Sequence, residues 1–193
     1  MHPLRIVVLA ILCSVAASVA QADSEPPSIA SAYTIAVSFS DCTVHVYDPL
    51  GNELFLSKVA LPRFPIRLPA KGRVIAIDRN PWWFPPPGVR GYVLDTEGIV
   101  LPERVPPGPN NPMGSVKFTF QFATPDTDPL SKMHGTNNPR SIGRRATSGC
   151  IRLRNEDVLA LADLIEPLFR DGVEIRILYV KTLKGERVAV ASR

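Results

Sequence analysis

The feature that most constrains this chain is a hydrophobic period of two. Cys42, Val44 and Val46 alternate with Thr43, His45 and Tyr47, and Asp48-Pro49-Leu50-Gly51-Asn52 then turns the chain into Glu53 to Val59. That pattern predicts a β-hairpin. Similar runs follow at Leu61 to Leu68, at Val74 to Ile77, at Val116 to Phe122 and from Gly172 into Val173, Ile175 and Ile177. One stretch has the helical period instead. Asn155 is a capping residue, Glu156 and Asp157 suit a positive helix end, and Val158, Leu161, Leu164 and Ile165 form an apolar stripe ending near Pro167. About seven strands against one or two short helices, with antiparallel spacing and no βαβ alternation, predict a mainly β fold, a sandwich or partly closed barrel.

Length and composition bound the organisation. In 193 residues, 45% of them hydrophobic, one domain can build a core without a metal or disulfide staple. Residues 1–22 read as a secretory signal: Arg5, an apolar run from Ile6 to Val19, and a small-x-small site at Ala20-Gln21-Ala22. The apolar run is shorter than the ~20 residues a bilayer span needs, so no transmembrane anchor is expected after cleavage, and Cys13 is lost with the signal. Residues 23–32 form a polar linker, 33–180 one compact domain and 181–193 a charged tail. Export to the periplasm or cell envelope follows. The 20 prolines concentrate in Asn80 to Pro87 and Leu101 to Gly114, where interleaved Trp and Phe predict rigid, packed loops.

The chemistry lies between Met133 and Leu153. A thiol of pKa about 8.5 is mostly protonated at neutral pH, so a nucleophilic cysteine needs a base or a cationic setting. His134 supplies the first; Arg144, Arg145 and Arg152 supply the second and are candidate substrate-binding groups. Gly149 leaves the backbone bare before Cys150, so the amides of Ser148, Gly149 and Cys150 can converge on an oxyanion. The intervening Gly, Asn, Pro, Ser and Thr make an exposed loop rather than a core. Trp82 and Trp83 either floor a substrate groove or fill space beneath the loops, and packing is the commoner use of aromatic area.

Three linked blocks, His134-Gly135-Thr136, Ile142-Gly143 and Thr147-Ser148-Gly149-Cys150-Ile151-Arg152, resemble the signature of the L,D-transpeptidase catalytic (YkuD-type) domain. Asn80-Pro81-Trp82-Trp83 and Pro106 to Gly114 resemble its subgroup that attaches lipoprotein to peptidoglycan or makes direct cross-links. The resemblance implies a β-rich fold and a Cys150 nucleophile. It also implies a His134 base whose ring is oriented by the Gly135 carbonyl. The implied donor is a peptidoglycan tetrapeptide stem. The acceptor would be a second stem, giving a 3-3 cross-link, or a lysine of an outer-membrane lipoprotein; water would make the site an L,D-carboxypeptidase or an amidase. The turn Leu68-Pro69-Ala70-Lys71-Gly72 departs from the family's Thr-Pro-x-Gly.

Other readings fit less well. Papain-type hydrolases place cysteine well before histidine, the reverse of the order here. A non-catalytic wall-binding module would not need to keep both Cys150 and His134. Nothing suggests nucleic-acid binding, a metal site or a cofactor. The net charge of +4 suits a polyanionic wall polymer. Cys42 shares a strand face with Val44 and Val46, so it is expected in the core as an inert thiol rather than bridged to Cys150.

Overall fold

The structure, a computed structural model, describes residues 32–123 and 132–183. The expected signal at 1–22, and nearly all of the linker at 23–32 and the tail at 181–193, lie outside the described residues.

Alternating residues form strands β1 (Tyr33–Ser38), β2 (Thr43–Tyr47), β3 (Glu53–Lys58), β4 (Leu61–Pro62), β5 (Ala70–Arg79), β6 (Val116–Phe122), β7 (Lys132–His134), β8 (Arg145–Thr147), β9 (Ile151–Arg152) and β10 (Ile175–Val180). Among the described residues two α-helices accompany them, α1 (Pro87–Glu97) and α2 (Asn155–Arg170), with a 3-10 turn at Pro139–Ser141. The main sheet has the order β3-β2-β1-β10-β5-β6-β7-β9, and β4 pairs with β8 apart from it. The mainly β class is as the period of two requires. The β2–β3 hairpin turns on Asp48, whose Oδ1 accepts from the amides of Leu50 (2.9 Å) and Asn52 (2.8 Å).

Strand direction departs from the antiparallel expectation. β10 lies parallel to β1, β9 parallel to β7, and β8 parallel to β4. A period of two reports which face is buried, not which way the neighbour runs. Direction is decided by the crossovers: α2 returns the chain so that β10 enters beside β1, and the loop after β7 does the same for β9.

One face of this curled sheet makes the core. Ile35 opposes Ile177, Val37 opposes Tyr179, and Val74 opposes Phe120, all buried. The stripe Val158, Leu161, Ala162 and Ile165 of α2 joins the same cluster, each large member contributing roughly 1.5–3 kcal/mol of burial. Buried Glu166 is neutralised by Arg79 of β5 (2.7 Å) and Arg170 (2.5 Å), which ties the helix to the sheet.

Several elements differ from the sequence expectation. The run Leu61 to Leu68 keeps only a two-residue strand, because Pro62 and Pro65 remove ladder donors. The proline-dense middle, expected as loops, contains α1: Pro87 occupies its first turn and Gly98, at φ 68°, closes it with a bond to Leu94 O (3.0 Å). No residue of α1 is buried, so no apolar stripe marked it. Asn155 does not cap α2; Arg154 holds that position, and the helix runs past Pro167 to Arg170. Cys42 precedes β2 in a turn at φ 51°, half-buried against the core rather than within the strand face.

Gly72 sits where β5 is squeezed between β6 and β10, and a Cβ there would overlap the Gln121 carbonyl and the Phe122 Cα. Gly72→Ala is expected to destabilise the domain by about 1–3 kcal/mol, read as a lower urea midpoint with unchanged slope. An unchanged midpoint would show that the β5–β6 spacing is not tight.

Candidate active site

At the edge of the sheet, β6, β7 and β9 align Lys117, His134 and Arg152 in one row, because Lys117 opposes His134 and His134 opposes Arg152. The alternate row, Phe118, Met133 and Ile151, is fully buried in the core. Period two therefore sends His134 and Arg152 to the face away from the core, and Cys150 stands two residues before Arg152 on the approach to β9. The Cys150 and Arg152 side chains interact electrostatically.

His134 is 4% exposed, and its Nδ1 lies 2.6 Å from the Gly135 carbonyl. A carbonyl only accepts, so Nδ1 carries the proton and Nε2 is left with its lone pair. Burial pushes its pKa down to about 4, against the pull of the Gly135 bond, and the nearby charges of Arg152, Lys132 and Lys117 push the same way as burial. At neutral pH the ring is an uncharged base. Arg152 is half-buried, and its Nε is enclosed with no hydrogen-bond partner among the described residues. Burial pushes the pKa of this guanidinium down; Cys150 opposes that and Arg63 adds to it.

The turn before Cys150 is shaped by Thr147 and Gly149. Thr147 Oγ1 donates to Cys150 O at 2.5 Å and accepts from the Gly149 amide at 3.3 Å. Gly149 has φ 147°, a region that favours glycine, so the bareness expected there is conformational as well as steric.

Residues 69–190 match the family model described as the L,D-transpeptidase catalytic domain, YkuD. The chain belongs to this family. It is 38% identical over 132 residues to the protein named "Probable L,D-transpeptidase ErfK/SrfK" of Salmonella typhimurium LT2, covering 67% of this chain and 40% of that protein. The protein of the same name in Escherichia coli K12 is 33% identical over 138 residues, covering 67% of this chain and 40% of that one. The chain thus spans about 40% of the length of these relatives. Among solved structures, L,D-transpeptidase 3 of Mycobacterium tuberculosis aligns with a TM-score of 0.45 at 14% identity, over 77% of this chain and 60% of that chain.

In this L,D-transpeptidase domain the remaining candidates separate. Arg144 is exposed on the loop. Arg145 turns back onto the body, donating to Phe39 O (3.2 Å) and Pro62 O (3.5 Å) with its guanidinium over the Phe39 ring. Trp82 is 45% exposed with Arg104 stacked over it, whereas Trp83 is pinned by reciprocal main-chain bonds to Val105 (3.0 and 2.8 Å). His45 is held by Glu53 and Thr43, remote in the sheet from His134. Neither cysteine of the described residues is in a disulfide. Among the described residues no cluster of His, Cys, Asp and Glu forms a metal site, and no helix is long and apolar enough to cross a membrane.

Two polar residues that the sequence did not mark as part of the site organise the loops. Asn111, 1% exposed, donates from Nδ2 to the carbonyls of Pro81 (2.9 Å) and Pro106 (3.1 Å) and accepts from Met113 N (2.8 Å). Asn155 reaches across from α2 to Ser115 and Thr136. Only the Asn-rich spacing of Asn110-Asn111-Pro112 hinted at the first, and the second was legible only as a helix start.

Because the folded His134 binds its proton only near pH 4 while an unfolded histidine does so near 6.5, the unfolded state takes up a proton first on acidification. Stability is therefore lost as pH falls from about 6.5 towards 4, by roughly 3 kcal/mol from this group. Urea unfolding at pH 7 and at pH 4 should show that loss in the parent and a correspondingly smaller one in His134→Gln; equal losses would contradict the burial of a neutral ring.

Proposed function

We propose that the domain is a cysteine L,D-transpeptidase acting on peptidoglycan, with Cys150 as nucleophile and His134 as its base. What carries the reading is His134 itself: a buried, uncharged imidazole whose Nδ1 is committed to the Gly135 carbonyl and whose row-mate Arg152 interacts with Cys150.

A base whose conjugate acid has a pKa of about 4 does not strip an ordinary thiol at rest. Proton transfer to Nε2 accompanies attack of the Cys150 sulfur on the carbonyl of the L-centre at position three of a tetrapeptide stem. Amides of the Ser148-Gly149-Cys150 turn hold the oxyanion, with that of Cys150 the best candidate, since the Gly149 amide already leans on Thr147. The tetrahedral intermediate collapses as the imidazolium returns its proton to the leaving amine of the terminal D-alanine, leaving a thioester. An acceptor amine then attacks the thioester, gives a proton to Nε2 and, through it, restores the thiol.

Arg152 brings to this site an enclosed Nε–H with no partner among the described residues, a donor that suits an anionic or carbonyl oxygen of the donor stem. A second stem is the preferred acceptor, giving a 3-3 cross-link, with a lipoprotein lysine as the other amine. The enzyme works in the cell envelope once exported.

Incubating the protein with disaccharide-tetrapeptide and resolving the products by mass tests this. The expected products are cross-linked dimer and free D-alanine from the parent, and neither from Cys150→Ala. Free tripeptide without dimer at high acceptor concentration would make the enzyme a carboxypeptidase, and equal product from the two proteins would remove Cys150 from the chemistry.

A further inference from the structure

We propose that Asn155 is a positioning residue for His134, acting through the peptide bond between Gly135 and Thr136. The inference rests on the reading of His134 as the base for Cys150.

The sheet holds His134 only part of the way. Leu153 N donates to His134 O (2.9 Å) and Gly135 N donates to Val116 O (3.1 Å), so the ladder fixes the peptide between residues 134 and 135. The next peptide lies past the end of β7. It matters most, because its carbonyl is the one His134 Nδ1 reaches at 2.6 Å.

Asn155 takes over where the ladder stops. Its Oδ1 accepts from Thr136 N (3.1 Å) and Ser115 N (3.2 Å), and its Nδ2 donates to Thr136 O (3.1 Å). The Thr136 N–H and the Gly135 C=O are the two ends of one planar trans unit and point in opposite directions. Drawing the N–H onto Asn155 therefore aims the C=O at His134. Rotation of that plane would carry both groups away together.

The surroundings are bare where the side-chain amide enters. A Cβ added to Gly114 or to Gly135 would run into Asn155 Oδ1. Asn155 does not serve α2 as a cap, so helix formation alone does not account for its side chain. With the carbonyl fixed, the neutral ring is committed to the Nδ1–H tautomer and Nε2 stays a lone-pair base. With the carbonyl released, the buried ring is free to adopt the Nε2–H form, which is no base toward the thiol.

The test is the tautomer itself. In the full chain labelled with 15N-histidine, and with His134 assigned by comparison with His134→Gln, the parent should show a protonated Nδ1 in slow exchange and an unprotonated Nε2. Asn155→Ala should mix the tautomers and slow carbapenem acylation of Cys150 by about 10- to 100-fold, the scale of a small misplacement in a catalytic group. Asn155→Asp keeps the acceptor for Thr136 N and should return both readouts toward the parent. Should Asn155→Ala fail to fold, Asn155→Ser, too short to hold both amides, is expected to show the same defect. A folded variant with the parental tautomer and rate would overturn the proposal, as would lost acylation with unchanged His134 signals. Failure of the peptidoglycan reading would appear elsewhere, as absent cross-linked product with this tautomer pattern intact.

Discussion

The hydrogen bond from His134 Nδ1 to the Gly135 carbonyl is the constraint on which the rest of this site depends. A neutral imidazole has one donor and one acceptor nitrogen, and which is which decides whether the ring can take a proton from a thiol. In water the assignment would fluctuate; in a site where the ring is 4% exposed, a single carbonyl at 2.6 Å settles it. Burial does a second thing, holding the ring uncharged down to about pH 4.

Much of the molecule can be read as support for that carbonyl. The ladder of β6, β7 and β9 sets the row Lys117, His134 and Arg152, and the core packed beneath it, with Phe118, Met133 and Ile151 fully buried, keeps the row from sliding. The proline-dense middle contributes indirectly. Asn111 gathers the carbonyls of Pro81 and Pro106, and this delivers Gly114 and Ser115 to the start of β6, where Asn155 bridges them to Thr136. Prolines with fixed φ and no N–H lower the cost of holding such loops in one shape.

The sequence marks the candidate site more plainly than the scaffold. Cys150, His134 and Gly149 stand out because thiol catalysis needs a base and a bare turn within reach, and those demands leave a local mark. The β2–β3 hairpin and the α2 stripe were legible for the same reason, since each satisfies a short-range period. The direction of β10 and β9 was not, because parallel pairing is decided by crossovers far apart in sequence. α1 escaped because it buries nothing, although Pro87 and Gly98 bracket it as helix ends should. Arg145 looked like part of the cationic setting, yet its guanidinium is fastened to Phe39 and Pro62, partners 106 and 83 positions away that no local pattern encodes. Asn155 has the sequence position of a cap, a polar residue before an apolar stripe; the three main-chain groups it serves instead are assembled only by the fold.

If His134 serves Cys150, the proton affinity of this one ring governs the rate. Single-turnover acylation of Cys150 by a carbapenem, followed by intact mass across pH, measures it directly. If His134 is a buried neutral base, the acid limb of the rate profile lies near pH 4, where the ring takes up its proton, and disappears in His134→Gln. An acid limb centred near 6.5, the value of an ordinary solvated histidine, would contradict the account.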